Sequence, residues 1–189
     1  MSSRLVLASS SPRRLALLNQ IGVVPDQIIA PEIDETPHKL ELPRFAAQRL
    51  ARAKLAAVDA PGFVLAADTV VALGRRMLPK TDTIDEARLC LHRLSGRRHH
   101  VLTAIALRAP DGRIAERLVD SAVGFARLES RVIEDYLATG EWRGKAGGYG
   151  IQGRAAVFVD FLAGSYSAVV GLPLHETEKL LRGLGFFRP

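Results

Sequence analysis

The 189-residue sequence has a single cysteine, Cys90. One chain can therefore build neither a disulfide framework nor a cysteine metal cluster. Long apolar runs are missing too. None reaches the length of a membrane span, and the run in the opening "MSSRLVLASSSPRR" is too short for a secretory signal. Few cysteines and no such segment point to a reducing compartment, so the expectation is a cytoplasmic protein with no membrane partner. No internal repeat or low-complexity linker divides the chain. Residues 1–189 are read as one domain, long enough for a real core.

Acid is the scarcer charge. Twenty Asp and Glu face 26 Lys and Arg, for a net charge of +6. The bases are mostly arginine, densest at Arg13-Arg14, Arg75-Arg76 and Arg97-Arg98-His99-His100. Such a surplus suits nucleic acid, a small polyanion such as a nucleotide, or merely a solvated face. There is no long basic tail and no interleaved aromatic ladder, which argues against a nucleic-acid platform.

Periodicity places helices and strands in alternation. "RLVLA" (4–8) reads as a buried strand. A helix follows over 12–20, with Ser11 as N-cap, Pro12 at the first helical position and Gly22 as a stop. A second strand is expected at 27–30, then an acidic, proline-containing loop, then an Ala-rich helix over 44–58. "FVLAADTVVAL" (63–73) is the clearest strand. Residues 83–94 form a helix with a Thr83–Glu86 capping box. Residues 99–108 and 113–127 read as an antiparallel pair turned at Pro110-Asp111-Gly112. A helix ends at Gly140, "AVFVDFL" (156–162) reads as a core strand, and a last helix spans 173–184. The class is α/β with a mixed sheet.

Several stretches are out of keeping with mere structure. Arg13 and Arg14 sit at a helix start, where the dipole disfavours cations unless an anion lies between. Ser9, Ser10 and Ser11 add hydroxyl donors, and guanidinium forks match phosphate oxygens. The glycines of a P-loop are missing. Asp68 lies inside an apolar strand, an expensive place for a carboxylate unless it is paired or functional. "GKAGGYGIQG" (144–153) holds five glycines in ten residues. They allow close backbone approach, while Lys145 supplies charge and Gln152 an amide suited to a base edge. Weaker candidates are Asp34 and Glu35 in "IDE", Lys54 beside its helix's apolar stripe, and Lys80 in a loop. His99 and His100 are adjacent, so a strand would point them to opposite sides. Trp142 and Tyr149 have rings able to stack a base, but packing is the stronger reading of both.

In order along the chain, "LASSSPRR", "IDE", "RLARAKLAA", "AADTVV", "LPKTDT", "LSGRRHHVLTAIAL", "GKAGGYGIQGRAAVFV" and "GSYSAVVGLPL" resemble the Maf family of nucleoside triphosphate pyrophosphatases. The resemblance covers essentially the whole chain. It implies a fold related to inosine triphosphate pyrophosphatases: a central mixed sheet flanked by helices, with a cleft between two lobes, often dimeric. It implies cleavage between the α- and β-phosphates to monophosphate and pyrophosphate with a divalent cation, Mg²⁺ or Mn²⁺. "SPRR" with "YGIQG" is similar to the dTTP/UTP-hydrolysing subfamily.

By motif, Asp68 matches the proton acceptor, and Arg13, Thr69 and Gln152 match positions linked to substrate choice. Ser9, Arg14, Glu35, Lys54 and Lys80 match the polar lining of the cleft. The resulting expectation has Asp68, Lys54 and Lys80 as catalytic residues and Glu35 with Asp68 as metal ligands. Ser9, Ser11, Arg13, Arg14, Thr69, Lys145 and Gln152 would bind the substrate. One departure stands out: the family commonly has Gly-Lys-Pro where this chain has Pro79-Lys80-Thr81. The rival readings are the same chemistry on another nucleotide, such as 7-methyl-GTP, and a non-catalytic nucleotide-binding regulator of septum formation.

Overall fold

The computed structural model describes residues 4–187. One seven-stranded mixed sheet organises the chain, in the order β2-β1-β3-β5-β6-β7, with β4 pairing onto β3. The strands are β1 Leu5–Ala8, β2 Gln27–Ile28, β3 Phe63–Leu73, β4 Arg76–Leu78, β5 Arg98–Arg108, β6 Ile114–Phe125 and β7 Val159–Ala163. The helices are α1 Pro12–Gln20, α2 Pro43–Ala56, α3 Ile84–Leu94, α4 Ser130–Leu137, α5 Tyr166–Val170 and α6 Leu174–Leu184. β1 pairs in parallel with β2 and β3, and the remaining pairings are antiparallel.

The side-chain period of two divides β3 and β5 between separate cores. Val64, Ala66, Val70 and Ala72 of β3, with Leu102, Ala104 and Ala106 of β5, pack against α2. On the opposite face the core is split. Phe63, Leu65, Ala67, Ile105 and Leu107 pack with α1 and α6. Val71 and Val101 pack instead with α3, α4 and the glycine-rich segment. Between these two apolar clusters the register pairs Thr69 with Thr103. The boundary between the lobes is therefore written as a pair of threonines in two otherwise apolar strands.

The edge of β3 is divided at the same level. β1 pairs with it as far as Ala66, and β4 takes over at Val71. Ala67–Val70 thus pair with β5 alone. This notch in the sheet lies where β1 ends and α1 begins, at the carboxyl end of the parallel strands, where open α/β sheets bind ligands.

The structure corrects several expectations. Ser11 occupies the N-cap position of α1, but its side chain makes no capping bond. Its own N–H instead donates to Ser9 Oγ at 3.2 Å. "AVFVDFL" is not one strand: Arg154–Phe158 is a 3-10 helix and only Val159–Ala163 is extended. Ala155 and Phe158, three apart, are its buried residues, a helical rather than an alternating spacing. The second strand shrinks to two exposed residues, Gln27 and Ile28. The helix expected over 44–58 runs from Pro43 to Ala56, and Ala57 beyond it is exposed. Strand β4 and helix α5 were not expected. The Thr83–Glu86 capping box is present as read. His99 is buried and His100 exposed, as alternation requires. No helix among the described residues is long and apolar enough to cross a membrane.

Candidate active site

A cleft of about 320 Å³ opens at the notch. Every residue expected to bind or react lines it: Ser9, Ser11, Arg13, Arg14 and Glu35, then Lys54, Asp68 and Thr69, then Lys80, Lys145 and Gln152. They arrive from four places: the β1–α1 turn, the acidic loop with α2, the middle of β3, and the glycine-rich segment with the Lys80 loop.

The cleft has two electrostatic characters. At one end, carboxylates and ammonium groups neutralise each other. Lys54, 8% exposed, places Nζ 2.5 Å from Asp68 Oδ1 and 2.7 Å from Glu35 Oε1. Lys80 caps the other Glu35 oxygen. Burial pushes the Glu35 carboxyl up, but the hydrogen bonds and charges of Lys54 and Lys80 outweigh it and hold it down at about 2. Asp68 is buried, as its apolar strand requires, and its Oδ2 has no hydrogen-bond partner among the described residues.

At the other end the cations form no direct ion pairs among the described residues. Arg14 donates from Nε to the Gly171 carbonyl at 2.9 Å and from Nη1 to Ser9 Oγ at 2.9 Å. A longer contact of 3.5 Å runs from Nη2 to Thr69 Oγ1. All three acceptors are neutral, and burial, with the Arg13 charge, lowers the Arg14 pKa against the nearby Asp68 and Glu35 charges. Arg13 is lowered by burial as well, and Lys145 by burial and by the nearby Arg13 charge. None of the three forms an ion pair among the described residues. Partial burial without an ion-pair partner disfavours a cation, and all three line one cleft beside the free N-terminus of α1. This arrangement suits an anion.

The glycine-rich segment is fixed from below. The φ of Gly147 is +71°, and a Cβ there would lie 3.0 Å from Val71 Cγ1; at Gly148 φ is +72° and the Cβ would lie 3.2 Å from Ala87 Cα. Only glycine fits this close approach to β3 and α3. Lys80 forms a bridge with Ala146. Thr81, where the family commonly has proline, donates its N–H to the Lys145 carbonyl (3.2 Å) and its hydroxyl to the Trp142 carbonyl (2.9 Å). Proline has neither donor, so the departure adds two bonds that seat Lys80 against the segment. Tyr149 hydrogen-bonds His99 at 2.7 Å beneath it, and Trp142 is buried; both pack, as expected.

Sequence reasoning missed the apolar wall of Val71, Val101, Val169 and Val170, and it missed Gly171. Gly171 follows a helix of five residues, too short to announce itself by periodicity. Thr103, behind Thr69, also carried no signal, since threonine is ordinary in a strand.

For a divalent cation, Glu35 and Asp68 are the available carboxylates, and both converge on the single Lys54 ammonium. No cluster of three His, Cys, Asp or Glu able to hold a metal occurs among the described residues. The donor set fits an ion that brings most of its ligands as phosphate oxygens and water, the usual habit of Mg²⁺. It does not make a dedicated all-protein cage.

Similar proteins agree with this architecture. The chain is 60% identical over 185 residues to a dTTP/UTP pyrophosphatase of Caulobacter vibrioides, covering 96% of each chain. It is 58% identical to a dTTP/UTP pyrophosphatase of Granulibacter bethesdensis, over 96% of this chain and 93% of that one. In three dimensions it resembles a HAM1 protein from Coxiella burnetii, with a TM-score of 0.50 and 18% identity over 96% of this chain and 99% of that one. That likeness speaks for the fold alone. Residues 4–184 match the family described as Maf-like protein, and the chain belongs to that family.

Proposed function

We propose that the protein hydrolyses nucleoside triphosphates, dTTP and UTP foremost, to the nucleoside monophosphate and pyrophosphate. Modified pyrimidine nucleotides fall in the same substrate class, and the role is nucleotide-pool housecleaning. The observation that carries this reading is the polarity of the cleft. Half-buried cations that form no ion pair await an anion beside a buried carboxylate with an unengaged oxygen. The names of relatives at 55–60% identity over nearly the whole chain support the substrate.

In this reading the triphosphate lies across the α1 N-terminus, with Arg13, Arg14, Lys54, Lys80 and Lys145 neutralising it. Asp68 Oδ2 accepts a proton from water as the water oxygen attacks the α-phosphorus in line. The bond from the α-phosphorus to the oxygen bridging to the β-phosphorus breaks, and that oxygen leaves with pyrophosphate, its charge met by the cationic lining. Glu35 and Asp68 would hold Mg²⁺ or Mn²⁺, which supplies charge neutralisation at the phosphate oxygens. Gln152, exposed at the cleft, reads the base edge, and Thr69 contributes to substrate choice. The protein acts in the cytoplasm as a homodimer, without nucleic-acid or membrane partners.

A panel of canonical and modified nucleotides, with phosphate and pyrophosphate measured separately, tests the reading. UTP and dTTP should give monophosphate and pyrophosphate in equal amounts. Diphosphate plus phosphate would mean another reaction class, and tight binding without turnover would favour a regulator. A 7-methyl-GTP preference would reassign the substrate. Gln152→Ala should erode discrimination among bases more than phosphate affinity; an unchanged ranking removes it from base reading.

A further inference from the structure

Thr103 lies behind the cleft wall, completely buried in the middle of β5. Its hydroxyl donates to the carbonyl of Ala168 at 2.7 Å. A carbonyl can only accept, and a threonine hydroxyl has one proton. That proton is spent on Ala168. The 3.0 Å contact between the Thr103 and Thr69 hydroxyls therefore has one polarity open to it: Thr69 donates and Thr103 accepts. The single Thr69 proton is turned inward, away from the cleft. Toward the cleft Thr69 offers lone pairs only, and the long contact from Arg14 Nη2 obeys the same polarity.

We propose that Thr103 is a specificity-positioning residue: it fixes the Thr69 hydroxyl as an acceptor, so that Thr69 selects a hydrogen-bond donor on the nucleoside. This rests on the nucleotide reading above. Ionised phosphate oxygens only accept, so they are excluded as partners of Thr69. Uracil and thymine carry a ring N–H at position 3, where cytosine carries a lone pair. The 3′-hydroxyl is the other donor shared by UTP and dTTP. Both present the same chemistry to Thr69.

The test compares kcat/KM for UTP, CTP and 3′-deoxy-UTP in the wild type, Thr103→Val, Thr103→Ser and Thr69→Val. Valine keeps the volume of Thr103 and removes the acceptor, freeing the Thr69 proton to turn toward the cleft. In T103V one preference should fall by about fivefold or more, the value of one hydrogen bond. A fall in UTP over CTP identifies the ring N–H; a fall in UTP over 3′-deoxy-UTP identifies the sugar. T103S should retain both ratios. A merely structural defect would lower all three substrates alike. If T69V shifts a ratio and T103V shifts neither, Thr103 does not set the polarity and the inference is overturned. If T69V shifts neither, Thr69 reads no nucleoside donor; the inference fails while UTP hydrolysis stands. Should T103V not fold, the wild type decides: CTP and 3′-deoxy-UTP both turned over as well as UTP would overturn the inference.

Discussion

Removing the Lys54 ammonium would leave the buried Asp68 without its counter-ion and Glu35 with only the more exposed Lys80. Breaking one side of a buried pair costs roughly 3–5 kcal/mol. For a chain of this size Lys54→Met should lower Tm on the order of 10 °C. The double variant Lys54→Met/Asp68→Asn should regain much of that loss, because no uncompensated charge remains. Losses that simply add would show that the pair is not coupled. Asp68→Asn by itself should keep nucleotide binding and lose about a hundredfold or more in kcat. Near-normal turnover would remove Asp68 from the base role. These residues were unequally visible beforehand. Asp68 announced itself as a carboxylate in an apolar strand. Lys54 did not, since a lysine beside a helical stripe is more often a stem reaching for water. Its burial depends on Glu35, 19 positions earlier in the sequence, and no local pattern records such a meeting.

At the scale of elements, the acidic loop that delivers Glu35 is braced by one side chain. Glu41 accepts from Arg49 Nε and Nη2 at 2.7 and 2.8 Å and from the His38 N–H at 3.0 Å. The Arg49 bonds, with the His38 N–H, hold its carboxyl down to about 2, below the ordinary 4.5. A depressed carboxylate stabilises the fold fully above its unfolded value and loses that contribution as pH falls. Between pH 4.5 and 2 the wild type should therefore lose stability more steeply than Glu41→Gln in thermal melts. Parallel curves would deny the brace. Gly147→Ala and Gly148→Ala each force a side chain into left-handed backbone, about 1–2 kcal/mol apiece, and add close contacts. Each should lower Tm by several degrees and raise KM for UTP; unchanged values would mean that the segment has slack.

The long elements were legible because eleven-residue strands and helices display their period several times over. The three-residue β4 and five-residue α5 do not complete one convincing repeat. "AVFVDFL" misled because a short apolar run does not distinguish a strand from a helical turn.

For the whole molecule, the net charge of +6 is less informative than its distribution. Some surface arginines have acidic partners, such as Arg52 with Glu116 and Arg88 with Glu134, while exposed ones such as Arg75, Arg76 and Arg97 form no ion pair among the described residues. Three cations that form no ion pair among the described residues, Arg13, Arg14 and Lys145, share the lining of one cleft. An Asp68→Asn protein given UTP at a hundredfold excess over its Kd should gain about 2.7 kcal/mol, a rise in Tm of roughly 5–10 °C. No rise would move the nucleotide away from this cleft.

The notch in β3 has a consequence for motion. Where Ala67–Val70 lack a neighbour on one side, the sheet that joins the two lobes is at its narrowest, and the apolar packing on one face is interrupted at Thr69 and Thr103. A bound triphosphate would span this waist from the α1 turn to the glycine-rich segment. It would act as a splint across a flexure point, so occupancy should register as slowed amide hydrogen exchange in the middle of β3 as well as in the loops that touch phosphate.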